Sequence, residues 1–167
     1  DGEADEVDAK RFQREAELAA RVDRRGGVVR VFKLGTWRGS LYYAMELIEG
    51  RDLEEEIRAG LAPDRVAEIV EELARTLVHC HAAGVVHRDL KPANVLIALD
   101  GRVRLLDFGV AKDMTRTDAE RLTLSGDMVG SPSYMAPEQA DPTRGPQDRL
   151  TDIYGLGAIL YHGLAGR

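Results

Sequence analysis

The sequence predicts an α+β fold made of two unlike halves, and three observations carry that expectation. The first fifty residues hold β-rich runs over 28–32 and 41–45, behind a charged stretch with helical periodicity. Most of the chain after Pro63 is helical, including one long amphipathic segment and an apolar one near the end. Between those segments, Asp100-Gly101 separates two short apolar runs, a strong hairpin signal. The halves meet near 46–52, which divides the chain into 1–48 and 49–167 with a cleft expected between them.

Over 8–25, Phe12, Ala16, Ala19 and Val22 recur at helical spacing among charges, and Gly26-Gly27 stops the helix. The runs 28–32 and 41–45 then form an antiparallel hairpin, turned by Trp37-Arg38-Gly39-Ser40. A second helix fits 64–83, where Val66, Ile69, Val70, Leu73, Leu77 and Cys80 make one apolar stripe. Pro63 at its start and Gly84 past its end are the residues expected at helix termini. Strands at 95–97 and 103–106 flank the Asp100-Gly101 turn. The polar stretch 112–133 lacks periodicity, and a loop of that length in a compact domain is usually functional or disordered. An apolar helix over 152–164 ends the pattern.

Composition excludes several classes. With 44% hydrophobic and 31% charged residues among 167, the chain has enough apolar surface for one core and is not a disordered acidic tail. A net charge of −6 argues against a nucleic-acid binder, which carries a basic stripe. Cys80 is the only cysteine, so no intrachain disulfide forms. The first residues lack the basic and apolar regions of a signal peptide. The most apolar stretch, 153–165, is interrupted by glycines and His162 and reads as a core helix rather than a membrane span. Because the first residue is Asp1 and not Met, a piece of a longer protein is expected.

The chemistry concentrates in His87-Arg88-Asp89-Leu90-Lys91-Pro92-Ala93-Asn94, followed by Asp107-Phe108-Gly109. A two-residue turn at Asp100-Gly101 would pair positions whose numbers sum to 201, so Asn94 would face Asp107 across the hairpin. An amide oxygen and a carboxylate at one point, completed by phosphate oxygens and water, suit Mg²⁺. Asp89 and Lys91 lie just upstream, close enough to face the same point. His79-Cys80-His81 does not read as a metal site, because i and i+2 on a helix point apart.

These motifs resemble the protein kinase family: HRDLKPAN is similar to its catalytic loop, DFG to its metal-binding motif and Met135-Ala136-Pro137-Glu138 to its APE element. RFQREAELAARV resembles the regulatory helix, MELIEGRDL the hinge, and TDIYGLG the start of the central helix. The wording GVVHRDLKPANVLI and YMAPEQA looks most like the bacterial, eukaryotic-like Ser/Thr kinases, and the match spans essentially the whole chain.

The resemblance implies a two-lobe fold with a partial small lobe, a helix plus a hairpin, and a mainly helical large lobe. It implies that Asp89 orients or deprotonates the substrate hydroxyl, Lys91 balances charge on the transferring group, and Asn94 and Asp107 hold Mg²⁺, or Mn²⁺ in its place. Met45 would be the gatekeeper, the Glu46 carbonyl and Ile48 amide would meet adenine, Asp52 the ribose, and Leu96 the underside of the ring. Glu15, which by itself reads as a solvated helix charge, would occupy the regulatory ion-pair position. Phe108 belongs to the regulatory DFG element. His87 and Glu138 would be structural, and Asp152 would anchor the catalytic loop. Arg88 would receive an activating phosphate on Thr123 or Ser125, which fit the activating positions better than Thr115 and Thr117.

ATP, protein substrates bearing Ser or Thr, and a second copy for autophosphorylation are the partners so implied. A cytoplasmic site is implied too, either free or as the cytoplasmic domain of a membrane-anchored kinase. The Gly-rich loop, the strand lysine and the family's last helices are absent from these 167 residues. Ser131 stands where threonine is often found, and Gly155 where serine or alanine is usual, which would add flexibility without touching chemistry. The alternative reading is a pseudokinase-like module that binds nucleotide or protein, if the chain truly begins at residue 1. Intact Asp89, Lys91, Asn94 and Asp107 favour the enzyme.

Overall fold

The computed structural model describes residues 26–37, 40–106 and 132–166. The helix expected over 8–25, with Glu15, lies outside the described residues, as do Asp107, Phe108, Thr115, Thr117, Thr123, Ser125 and Ser131.

Two strands, β1 (Val31–Trp37) and β2 (Ser40–Met45), form the expected antiparallel hairpin, with Trp37 opposite Ser40 and an irregularity between Val31 and Lys33. The first strand sits later in the chain than the β-rich run 28–32 predicts. Val28 and Val29 are both buried, and instead of pairing with β2 they run beside a strand of the other sheet. The Val29 amide donates to the Leu105 carbonyl at 3.0 Å, and the Leu105 amide to the Gly27 carbonyl at 2.7 Å. Burial of two consecutive valines, one on each face, outweighs their use as an edge strand.

Strand β3 (Gly50–Asp52) and helix α1 (Leu53–Arg58) fall where the sequence shows no clear periodicity. Asp52 caps α1, its Oδ1 accepting from the Glu55 amide at 2.8 Å. Glu54, Glu55 and Glu56 occupy the first turn and Arg58 the last, complementing the helix dipole. Leu53 and Ile57, one turn apart, are the buried pair that docks this helix.

Helix α2 (Pro63–Ala82) matches its expected span, and Val66, Ile69, Leu73, Leu77 and Cys80 form its buried stripe. A three-stranded antiparallel sheet has the order β3-β4-β5, with β4 at Val95–Ala98 and β5 at Val103–Leu105. Beyond it come a short helix α3 (Pro137–Ala140) and the long helix α4 (Arg149–Ala165). Asp148 caps α4, accepting from the Leu150 amide at 2.7 Å, and Gly166 closes it in the left-handed conformation. The core lies where α1, α2, α4 and the three-stranded sheet meet, with Leu53, Leu73, Leu105 and Ile159 almost fully enclosed. A Cβ on Gly163 would lie 2.6 Å from Val66 Cγ1, so α2 and α4 approach as closely as they do because that position carries no side chain.

The register of the β4–β5 hairpin corrects an expectation. Val95 faces Leu105, Leu96 faces Arg104 and Ile97 faces Val103, so paired numbers sum to 200. The connection is the three residues Leu99-Asp100-Gly101, with Gly101 at φ +81°. That is the geometry of a tight turn followed by one left-handed residue, in place of a two-residue turn. Asn94 therefore lies opposite Leu106, whose amide donates to the Asn94 carbonyl at 2.8 Å, and not opposite Asp107.

Candidate active site

The segment from His87 to Asn94 runs between the end of α2 and β4, and a short 3₁₀ turn (Pro92–Asn94) closes it. Its apolar and scaffold residues are buried, namely His87, Leu90, Pro92 and Asn94, as is Val85 just before it. The Val85 amide donates to the Cys80 carbonyl, which ends α2 and aims the chain back across the sheet.

Asp152, in the first turn of α4 and 1% exposed, organises this segment. Its Oδ2 accepts from the His87 amide at 2.9 Å and from His81 Nε2 at 2.7 Å, and its Oδ1 accepts from the Arg88 amide at 2.8 Å. Arg88 sits at φ +66°, the one described residue other than glycine in the left-handed region. Such a conformation persists only where the surroundings over-determine it, and those hydrogen bonds are among its restraints.

His87 has a definite tautomer. Its Nδ1 accepts from the Asp89 amide at 3.2 Å, so Nε2 carries the proton and donates to the Leu106 carbonyl at 2.7 Å. One buried ring thus ties the Asp89 backbone to the residue that precedes Asp107.

Two side chains meet at the Asp89 carboxylate. Lys91 Nζ donates to Asp89 Oδ2 at 2.8 Å. Asn94 Nδ2 donates to the same oxygen at 3.0 Å and to the Asp89 carbonyl at 2.8 Å. With its amide nitrogen so committed, Asn94 keeps Oδ1, a hard oxygen donor suited to a cation such as Mg²⁺. A small recess lined by Asp89, Lys91, Tyr134, Met135, Gln139 and Thr151 adjoins the group.

The segment around Ala136 closes that recess and is pinned on both sides. Gln139 Nε2 donates to the Arg88 carbonyl at 2.6 Å, while its Oε1 accepts from the Ala136 amide at 3.0 Å. Glu138 Oε1 accepts from Thr151 Oγ1 at 2.6 Å. The Tyr134 hydroxyl bonds His162 Nδ1 on α4. Burial of the phenol, with the Glu54 charge as a second contribution, raises the Tyr134 pKa above its usual value.

Of the residues expected at the hinge, Met45 ends β2 opposite Val31, and the Glu46 amide donates to the Arg30 carbonyl at 2.8 Å. Asp52 and Leu96 face each other across β3 and β4, while the Asp52 carboxylate caps α1. Ile48 is half-buried in the stretch joining β2 to β3. Gly155, expected to add flexibility, is instead a contact point: a Cβ there would lie 2.8 Å from Leu90 Cβ, within the segment from His87 to Asn94.

Sequence reasoning missed Gln139, His81, Thr151 and His162. Only Gln139 carried a signal, since a Gln three residues after a helix N-cap reaches back to the cap amide. His81 bonds a residue 71 positions away, which no local pattern encodes.

The sequence profile described as "Protein kinase domain" matches residues 1–167. The probable serine/threonine-protein kinase PknB of Lactococcus lactis is 38% identical over 99% of this chain, which covers 26% of that protein. The serine/threonine-protein kinase PrkC of Bacillus subtilis is 36% identical over 95% of this chain and 24% of its own length. A crystal structure of the Mycobacterium tuberculosis PknI kinase domain superposes with a TM-score of 0.72 at 31% identity, covering 96% of this chain and 58% of that one. The chain thus spans about a quarter of the length of the curated relatives. Motifs, fold and matches agree: this chain belongs to the protein kinase domain family.

Proposed function

We propose that this chain carries the catalytic centre of a serine/threonine protein kinase, moving the γ-phosphoryl group of ATP to Ser or Thr hydroxyls of proteins. The observation that carries the reading is the convergence of Lys91 Nζ and Asn94 Nδ2 on one oxygen of Asp89, beside a recess walled by Tyr134 and Gln139. In the proposed reaction the substrate hydroxyl gives its proton to Asp89 as its oxygen bonds to phosphorus. The bond to the ADP oxygen breaks, and ADP leaves with that electron pair. Lys91, now paired with Asp89, would turn toward the transferring group and offset its charge. Asn94 Oδ1 and Asp107 would hold Mg²⁺, or Mn²⁺, which neutralises phosphate oxygens when bound. Met45, Glu46, Ile48, Asp52 and Leu96 would frame the nucleotide, with Glu15 completing the regulatory ion pair. Among the described residues no helix is long and apolar enough to cross a membrane. From its likeness to the bacterial kinases, we place the domain in the cytoplasm, free or tethered.

Two variants in the intact protein that carries this chain test the assignment. Asp89→Asn should cost about 10²- to 10⁴-fold in transfer, the usual contribution of a positioned acid/base group, while Mg²⁺–ATP binding survives. Asp107→Ala should weaken nucleotide binding as well. Calorimetric titration separates the two, and equal loss of binding in both variants contradicts the roles.

We further propose activation by phosphorylation at Thr123 or Ser125, placed there by a second copy. A phosphate of charge about −1.5 to −2 at either position would offer Arg88 a charge-assisted partner. Phosphopeptide mapping with Thr123→Ala, Ser125→Ala and the double variant should find phosphate at one position and low activity in the double variant. Full activity in the double variant with no phosphate at either position overturns the switch.

A further inference from the structure

The peptide unit joining Arg88 to Asp89 is held at both ends by side chains, one from the neighbouring His87 and one from the distant Gln139. Its N–H donates to His87 Nδ1 at 3.2 Å, and its carbonyl accepts from Gln139 Nε2 at 2.6 Å. The preceding peptide unit is held by the Arg88 amide on Asp152. Between those two planes Arg88 adopts its φ of +66°. A left-handed residue with a bulky side chain relaxes toward ordinary backbone unless each neighbouring plane is fixed. Relaxation here would rotate the plane from which the Asp89 side chain departs.

Gln139 comes from a different part of the chain than the other restraints. It belongs to α3, in the segment that walls the recess facing Asp89 and Lys91. The orientation of its carboxamide is set by its partners, because the Ala136 amide can only donate and the Arg88 carbonyl can only accept. Replacing either half of the carboxamide therefore removes a defined bond.

We propose that Gln139 is a positioning residue: through the Arg88 carbonyl it fixes the peptide plane that sets the Asp89 carboxylate, and locks it to the wall of the recess. The inference rests on the proposed role of Asp89 and adds a coupling that role does not require. A hydroxyl presented along the Tyr134–Gln139 wall and the carboxylate that receives its proton then share one frame. Small misplacement of a reacting group is costly, which is what makes such a frame matter.

The test uses the intact protein, with Gln139→Glu and Gln139→Met. Gln139→Glu keeps the acceptor for Ala136 but turns an oxygen toward the Arg88 carbonyl, and Gln139→Met removes both bonds at similar volume. Each should lower kcat by about 10- to 100-fold, with the KM for ATP changed less than about twofold and the melting temperature nearly unchanged for Gln139→Glu. Amide exchange across 87–91 should speed up about tenfold or more while α2 and α4 keep their protection. In an Asp89→Asn background the Gln139→Glu penalty should vanish, since a residue acting through Asp89 has nothing left to position.

Normal kcat in both Gln139 variants, unchanged exchange over 87–91, or a penalty of equal size in the Asp89→Asn background overturns the proposal while leaving the kinase reading intact. Wild-type transfer by Asp89→Asn alone overturns both.

Discussion

Asp152 gathers three donors, two backbone amides and an imidazole, onto one carboxylate that water scarcely reaches. An acceptor with no proton of its own suits that position, and an amide does not. Asp152→Asn would turn an NH₂ group toward one of the donors and leave buried groups unpaired, at about 1–3 kcal/mol each. We expect a stability loss of about 2–4 kcal/mol on that basis, read from urea unfolding, with the midpoint falling at unchanged slope. An unchanged midpoint would mean that the segment from His87 to Asn94 holds its shape without this anchor. Much of this scale was legible in the sequence. Asp89, Lys91 and Asn94 stand at spacings that bring them to one oxygen, and Asp152 was recognisable from its motif. The left-handed Arg88 was not legible, because arginine has no preference for that conformation and long-range bonds impose it.

Elements were legible where burial is periodic and obscure where it is brief. Helix α2 shows its stripe plainly, since five buried residues recur along one face over twenty positions. Helix α1 has only Leu53 and Ile57 to mark a face, and its cap at Asp52 went unread behind the hinge resemblance. The β4–β5 hairpin illustrates a subtler failure. Asp100-Gly101 identified the turn correctly, yet one added loop residue moved the pairing from a sum of 201 to 200 and put Leu106 opposite Asn94. Gly101 carries that three-residue loop at φ +81°, and a Cβ there would meet nothing within 4 Å. The cost of Gly101→Ala is therefore conformational alone. It should destabilise the fold by about 1–2 kcal/mol, the strain of a left-handed non-glycine residue. Chemical denaturation should give that loss, and a stability equal to or above wild type would rule the left-handed loop out.

At the scale of the whole chain, α4 presents an apolar face to solvent. Leu150, Ile153, Tyr154, Tyr161 and Leu164 are each about half or more exposed, and several of them line an open cavity with Ser133 and Tyr134. Contiguous apolar surface of this kind is uncommon on a free-standing domain and marks a face that packs against something. The solved PknI kinase domain is longer than this chain, which covers 58% of it. The Gly-rich loop and strand lysine that position ATP phosphates in the family are not within the 167 residues either. Because phosphoryl transfer draws nearly all its acceleration from positioning and electrostatics, the 167 residues expressed by themselves should transfer phosphate poorly. They should also bind a hydrophobic dye and self-associate. Sedimentation velocity, dye fluorescence and radiolabelled transfer measured beside the intact protein check these outcomes together. Ile153→Glu with Tyr161→Glu places two like charges on the α4 face without entering the core, so dye binding and self-association of the isolated chain should both drop. An isolated chain that stays monomeric, leaves the dye dark and transfers phosphate at the intact protein's rate would mean that the α4 face needs no cover and that these 167 residues suffice to position ATP.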